Sequence, residues 1–262
     1  EFKLAIPETI ETTMTIEGIS FNSRIMFPYN PTVQNTTFLK CYFSYGVSYV
    51  CRNTNFYNCI LNQLSFNGSA TSLADVNLFN CYVNDPQNTS SYVSVKFTNC
   101  IVRMNESYTN RFAIRDRMQY AKYNNCIFMG NVTANADPTY ANIPSNCTAT
   151  YCLSCYCAYK NATETEDAIY DYNIFDDMSN NTNKYLEDGK PLHETISSVF
   201  KTCPGIYDFK FNETYELTDE AKATYLGSDG TQVGLYGGMG FDLVPSTLQI
   251  TKCEVSPRST KD

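Results

Sequence analysis

The sequence predicts an all-β fold, a single-stranded right-handed parallel β-helix of about seven to eight rungs with an irregular C-terminal closing segment. Three observations predict it. A six-residue motif recurs through the first half of the chain. The intervals between its copies are short and uneven. The composition favours strands over helices, with 21 Tyr, 16 Phe, abundant Thr and sparse Leu.

The cleanest copy of the motif is Phe56-Tyr57-Asn58-Cys59-Ile60-Leu61. It returns as Leu78-Phe79-Asn80-Cys81-Tyr82-Val83, Phe97-Thr98-Asn99-Cys100-Ile101-Val102 and Tyr123-Asn124-Asn125-Cys126-Ile127-Phe128. Phe38-Leu39-Lys40-Cys41-Tyr42-Phe43 lacks only the Asn. The cysteines stand at 41, 59, 81, 100 and 126, so the intervals are 18, 22, 19 and 26 residues. A self-similar unit this short means a solenoid. A leucine-rich repeat needs Leu at its strand positions and a constant length, and this chain has neither. A β-helix rung is three short strands joined by turns, and it absorbs insertions at the turns.

The elements follow in order. The alternating stretch Thr15–Phe21 reads as a strand. Phe21-Asn22-Ser23-Arg24-Ile25-Met26 reads as a degenerate copy. Intermediate strands fall at Val47–Val50, Tyr92–Val95 and Phe112–Ile114, punctuated by Gly and Asn. Cys152–Cys157 is a copy with Cys155 at the key position, and Tyr170–Phe175 one with Asn173 there. Phe200-Lys201-Thr202-Cys203 starts a last copy that Pro204-Gly205 cuts short. Residues 1–176 therefore carry the rungs. Residues 177–262 carry the remaining rungs and the closing segment, packed on the same solenoid as one domain.

The motif has a physical logic. Rungs stack about 4.8 Å apart, so equivalent residues form ladders. The residue three before the Cys stacks inside. The Asn tolerates the left-handed backbone of a tight corner. Cys packs as a small polarizable core residue. Parallel ladder side chains do not suit disulfide geometry, so Cys41, Cys59, Cys81, Cys100 and Cys126 read as buried thiols. For Cys147, Cys152, Cys155 and Cys157, a zinc site, one local disulfide and core packing stay open; a second Cys-x-x-Cys and a nearby His are absent.

The later stretch Tyr215-Glu216-Leu217-Thr218 followed by Gly227-Ser228-Asp229-Gly230-Thr231-Gln232-Val233-Gly234-Leu235-Tyr236-Gly237-Gly238 resembles the closing segment of secreted bacterial β-helix proteins of the pectate-lyase-like superfamily. There a Gly-rich turn of this kind precedes a short strand, which here would be Leu248–Lys252. The resemblance implies the fold and export. It implies no one activity, because the superfamily holds lyases, hydrolases and adhesins.

Net charge is −8, which argues against nucleic-acid binding. No apolar run reaches the roughly 18 residues of a membrane span. No signal peptide is present, but the chain begins at Glu1 rather than Met, so an earlier segment is either removed or outside this sequence, and export stays open. Nine Asn-x-Ser/Thr sites, from Asn35 to Asn212, stand against about five expected by chance, so they weigh little on their own. Arg111, Arg115 and Arg117 gather in an acidic chain, and alternation turns them outward from Phe112 and Ile114. Such a patch suits the carboxylate or sulfate groups of a polysaccharide; the plainer reading is a solvated face. Asp171, Asp176 and Asp177 belong to an acidic run that would bind calcium through oxygens or supply a carboxylate pair; solvated loop acids are the plainer reading. The superfamily's hydrolases use His-Gly and Arg-x-Lys elements, and both are missing. The lone His193 stands in a segment that reads as irregular.

The expectation is thus an exported or cell-surface protein without a recognisable catalytic signature. It would bind glycans or other surfaces without a cofactor or metal, with calcium at the acidic run as the alternative. The alternative is a polysaccharide lyase or glycoside hydrolase acting on an acidic polysaccharide.

Overall fold

A computed structural model describes residues 13–22, 25–26, 34–44, 47–48, 52–66, 74–84, 86–88, 93–103, 121–131, 148–157, 186–187, 190–191, 193–202 and 209–244. These residues form an all-β fold dominated by three parallel sheets, an arrangement compatible with a parallel β-helix. The first sheet takes Met14–Glu17, Gln34–Leu39, Arg52–Tyr57, Ala74–Phe79, Val93–Thr98, Ala121–Asn124 and Thr148–Thr150 in that order. The second takes Ser20–Phe21, Tyr42–Phe43, Ile60–Leu61, Tyr82–Asn84, Ile101–Arg103, Ile127–Asn131, Leu153–Cys157 and His193–Thr195. The third takes Ile25–Met26, Val47–Ser48, Leu64–Phe66 and Pro86–Asn88. From Met14 to Thr98 the chain visits the three sheets in turn and returns beside its previous pass.

Each motif copy is the corner between the first sheet and the second. The corner residue is left-handed throughout: Gly18, Lys40, Asn58, Asn80, Asn99, Asn125 and Tyr151 have φ between 49° and 70°. That backbone costs an ordinary L-residue about 1–2 kcal/mol, and Asn lowers the cost by local hydrogen bonding. The next residue turns inward, and Cys41, Cys59, Cys81, Cys100, Cys126 and Cys152 are buried free thiols. The backbone N–H of Cys41 points at the Cys59 Sγ and that of Cys59 at the Cys81 Sγ, each at 3.4 Å. Burial, first of all, pushes the Cys81, Cys126 and Cys152 thiols up.

Register fixes three details differently from the sequence reading. The first copy is Ile16–Phe21, not Phe21–Met26, because Ile16 pairs with Phe38 and Gly18 takes the left-handed corner. Ile25–Met26 belongs to the third sheet. In the seventh copy Tyr151 is the corner and Cys152 the inward residue, while Cys155 lies opposite Met129. The corner conformation sets the phase, and the alternating cysteines after it do not. His193–Thr195, read as irregular, is a strand that pairs with Ser154–Tyr156.

Inside, like residues stack. Phe38 and Phe56 lie parallel at 5.1 Å, and Phe97 and Tyr123 at 4.8 Å. Phe38, Phe56, Leu78 and Phe97 are buried, with Phe43, Leu61, Val83, Val102 and Phe128 facing them from the second sheet. Each large apolar side chain buried this way contributes roughly 1.5–3 kcal/mol.

Residues 199–202 and 209–244 form a cover over the outer face of the second sheet. Ile60, Tyr82, Ile101, Ile127 and Leu153 point outward from that sheet, yet none is exposed. They pack against Val199, Phe200, Phe209, Tyr215, Leu217, Tyr225, Val233 and Leu235. A short helix in the cover, Asp219–Thr224, is capped by the Thr218 hydroxyl, which accepts from the Ala221 N–H.

Candidate functional site

The outer faces of the first and second sheets differ in chemistry. The second is apolar and covered. The first is largely polar and, among the described residues, partly exposed, and register draws it as columns. One column runs Thr15, Thr37, Asn55, Asn77, Lys96, Lys122 and Thr148, each residue opposite the next. The column beside it runs Glu17, Leu39, Tyr57, Phe79, Thr98, Asn124 and Thr150. Strand alternation puts the members from Thr15 to Lys122 and from Glu17 to Thr150 outward, since Val93, Val95 and Phe97 are buried while Ser94, Lys96 and Thr98 are not.

The columns are ordered side chain by side chain. The Asn77 amide donates to Asn55 Oδ1 at 3.0 Å, and the Asn53 amide donates to Asn35 Oδ1 at 3.1 Å. Tyr57 and Phe79 stack at 4.8 Å with ring planes 8° apart. The Thr150 hydroxyl donates to Asn124 Oδ1 at 2.8 Å. Lys96 and Lys122 are exposed neighbours in register. Like charges so placed repel by a few tenths of a kcal/mol or more. Lys96 has a distant partner in Asp75 at 3.9 Å; among the described residues Lys122 has no ion pair. The result is a flat strip of amides, hydroxyls and two cations, with a ring pair at its edge.

The corner ladder separates the open face from the covered one, and the Gly-rich stretch is fastened to it. The Asn80 amide donates to the carbonyls of Leu235 and Gly237 at 2.9 and 2.6 Å. Asn125 accepts from the Ser228 N–H through Oδ1 and from the Gly234 N–H through its carbonyl, both at 2.8 Å. Lys40 reaches the Asp242 carboxylate at 2.9 Å and the Val244 carbonyl at 2.5 Å. That contact, ahead of the bond from the Val244 N–H, holds the Asp242 carboxyl below its usual value. Burial opposes ionisation of Asp229, but the Thr231 hydroxyl and N–H and the Asn99 amide outweigh it and hold that carboxyl low as well. The chain thus runs down the ladder, from Asn125 at Ser228 to Lys40 at Asp242.

Glycine is needed where the two meet. A Cβ on Gly234 would lie 2.5 Å from the Ile127 Cδ1, and its φ is 81°. A Cβ on Gly238 would strike the Asn99 amide. The Asp-Gly-Thr and Gly-x-Tyr-Gly-Gly spacing is therefore a clasp on the asparagine corner.

Arg111, Arg115, Arg117, Asp171, Asp176 and Asp177 lie outside the described residues, as do Cys147, the expected strands Phe112–Ile114 and Leu248–Lys252, and the expected copy at Tyr170–Phe175. Cys155 and Cys157 belong to the strand Leu153–Cys157. Among the described residues no three His, Cys, Asp or Glu gather where a metal ion would bind. Among them, too, no helix is long and apolar enough to cross a membrane. The open columns escape the sequence reading because phase decides them. Once the corner is placed at Asn58, alternation alone puts Asn55 and Tyr57 outward. No family model, curated protein or solved structure matches the chain.

Proposed function

We propose that the chain is a right-handed parallel β-helix of about seven to eight rungs, exported or held at a cell surface, that binds an extended glycan on the open face of its first sheet. The observation that carries the reading is the in-register column from Thr15 to Thr148. At about 4.8 Å per strand its seven members span on the order of 29 Å, a flat repeating array suited to a linear repeating partner. Amides and hydroxyls match sugar hydroxyls. The Lys96 and Lys122 pair favours carboxylate or sulfate substituents. The covered second sheet offers no such face, because its outward residues are already buried. The likeness of the Gly-rich stretch to pectate-lyase-like closing segments supports the fold and the export, and no particular chemistry.

The test is a retardation and array screen of neutral and acidic polysaccharides, with the wild type beside N55A/N77A and K96Q/K122Q. Binding weakened at least tenfold by N55A/N77A supports the face. Binding untouched by both double variants would place the ligand elsewhere. Accumulation of unsaturated sugar product, followed by its absorbance, would replace the binding reading with the lyase.

A further inference from the structure

We propose that Asn212 is the acceptor of an N-linked oligosaccharide, and that the sugar next to the chain lies against the exposed ring of Phe211. Four of the Asn-x-Ser/Thr sites fall among the described residues, at Asn35, Asn88, Asn131 and Asn212. Three of them are committed to sheets. Asn35 sits in the strand Gln34–Leu39, and its Oδ1 is taken by the Asn53 amide. Asn88 and Asn131 end the strands Pro86–Asn88 and Ile127–Asn131. Asn212 stands in a turn closed by the Glu213 N–H donating to the Lys210 carbonyl at 3.1 Å. It is exposed, and among the described residues its side chain makes no hydrogen bond. Thr214, two residues on, supplies the hydroxyl the motif requires and is exposed beside Thr202.

Phe211 is the second observation. It is 68% exposed although it leads directly into a packed cluster. Tyr42 and Phe209 hold it edge to face, each at 5.3 Å, so the ring is fixed while much of it stays open to solvent. A rigid exposed ring beside an acceptor amide is a platform for the apolar face of a pyranose, and covering it removes apolar surface from water.

The step is redox-neutral. The Asn212 amide nitrogen displaces pyrophosphate from the anomeric carbon of a lipid-linked oligosaccharide. The N–C bond forms and the C–O bond to pyrophosphate breaks. The amide proton passes to a base of the transferase, and the pyrophosphate leaves on its lipid. The inference rests on the proposed export, since only exported chains meet that donor.

The experiment maps occupancy by peptide mass spectrometry after enzymatic deglycosylation in heavy-oxygen water. It uses the full chain from its own cells and the full chain secreted from a eukaryotic host. Occupancy of Asn212 in both, abolished by N212Q and by T214A, is the expected result. An unmodified Asn212 in the secreted host material overturns the acceptor itself. Occupancy there with none in the chain's own cells overturns the inference through its export premise. Deglycosylation should raise binding of an apolar dye in the wild type and not in F211A; an equal rise in both would overturn the sugar–ring contact.

Discussion

Gly234→Ala tests whether the Gly-rich stretch is held by close contact with the second sheet. The substitution has two costs. At φ 81° an Ala stands in the left-handed region, at about 1–2 kcal/mol. Its Cβ would also lie 2.5 Å from Cδ1 and 3.0 Å from Cγ1 of Ile127, a fully buried side chain. Relief needs a shift of roughly 1 Å toward ordinary carbon contact. Overpacking of that kind adds about 1–3 kcal/mol. The expected total is about 2–5 kcal/mol. Gly230→Ala is the control, since φ is 76° there and nothing lies within 4 Å of the added carbon. It should lose only the backbone part, about 1–2 kcal/mol.

The contact can be isolated further. Ile127→Val deletes the Cδ1 that the new Cβ would strike, at a cost of about 0.5–1.5 kcal/mol on its own. The double variant should then be more stable than the sum of the singles implies, by about 1–2 kcal/mol. Urea unfolding of the four proteins gives the cycle, provided the slopes agree. Additivity within about 0.5 kcal/mol would refute the contact. Equal losses from Gly230→Ala and Gly234→Ala would refute the role of packing altogether.

Asn80→Gly should keep the left-handed corner but lose the two bonds to Leu235 and Gly237, at about 1–3 kcal/mol in urea unfolding; no loss would show the clasp to be idle. Asn80→Asp should cost more, because a carboxylate would face two carbonyl oxygens. Asp229 titrates below its ordinary value, so its contribution is full above about pH 4 and fades as pH falls through the folded value. The stability gap between wild type and Asp229→Asn should therefore narrow below about pH 4, and a constant gap would oppose the reading. Cys41, Cys59, Cys81, Cys100, Cys126 and Cys152 should resist alkylation until the chain unfolds, as peptide mapping will show; ready labelling of the native protein would contradict their burial.

The repeat made much of this architecture legible. Asn in front of Cys announces a left-handed corner, and the corner recurs at Asn58, Asn80, Asn99 and Asn125. Where the Asn is missing the signal fails. Lys40 and Tyr151 adopt the same conformation without advertising it, and alternation alone then drew the seventh copy to Cys155 instead of Cys152. Local propensity there yields to the registry of strands already paired. The polar outer face of the first sheet was invisible for a related reason. Thr37, Asn55, Asn77 and Lys96 are scattered along the chain and become one column only through the spacing of the copies.

The cover was foreshadowed in a pattern that reads easily in retrospect. After Cys41, Cys59, Cys81, Cys100 and Cys126 comes an apolar residue and then another, as in Cys59-Ile60-Leu61 and Cys100-Ile101-Val102. Alternation sends the first of each pair outward, and a sheet apolar on both faces must be buried on both. A chain that carries Tyr42, Ile60, Tyr82, Ile101, Ile127 and Leu153 on one outer face therefore needs a layer to lie on them, and Val199, Phe200 and side chains between Phe209 and Leu243 supply it. The first sheet carries Thr37, Asn55, Asn77 and Lys96 in the equivalent outward place and needs no such layer. Among the described residues, the same alternation that forces one face shut leaves the other partly exposed, with its polar residues outward.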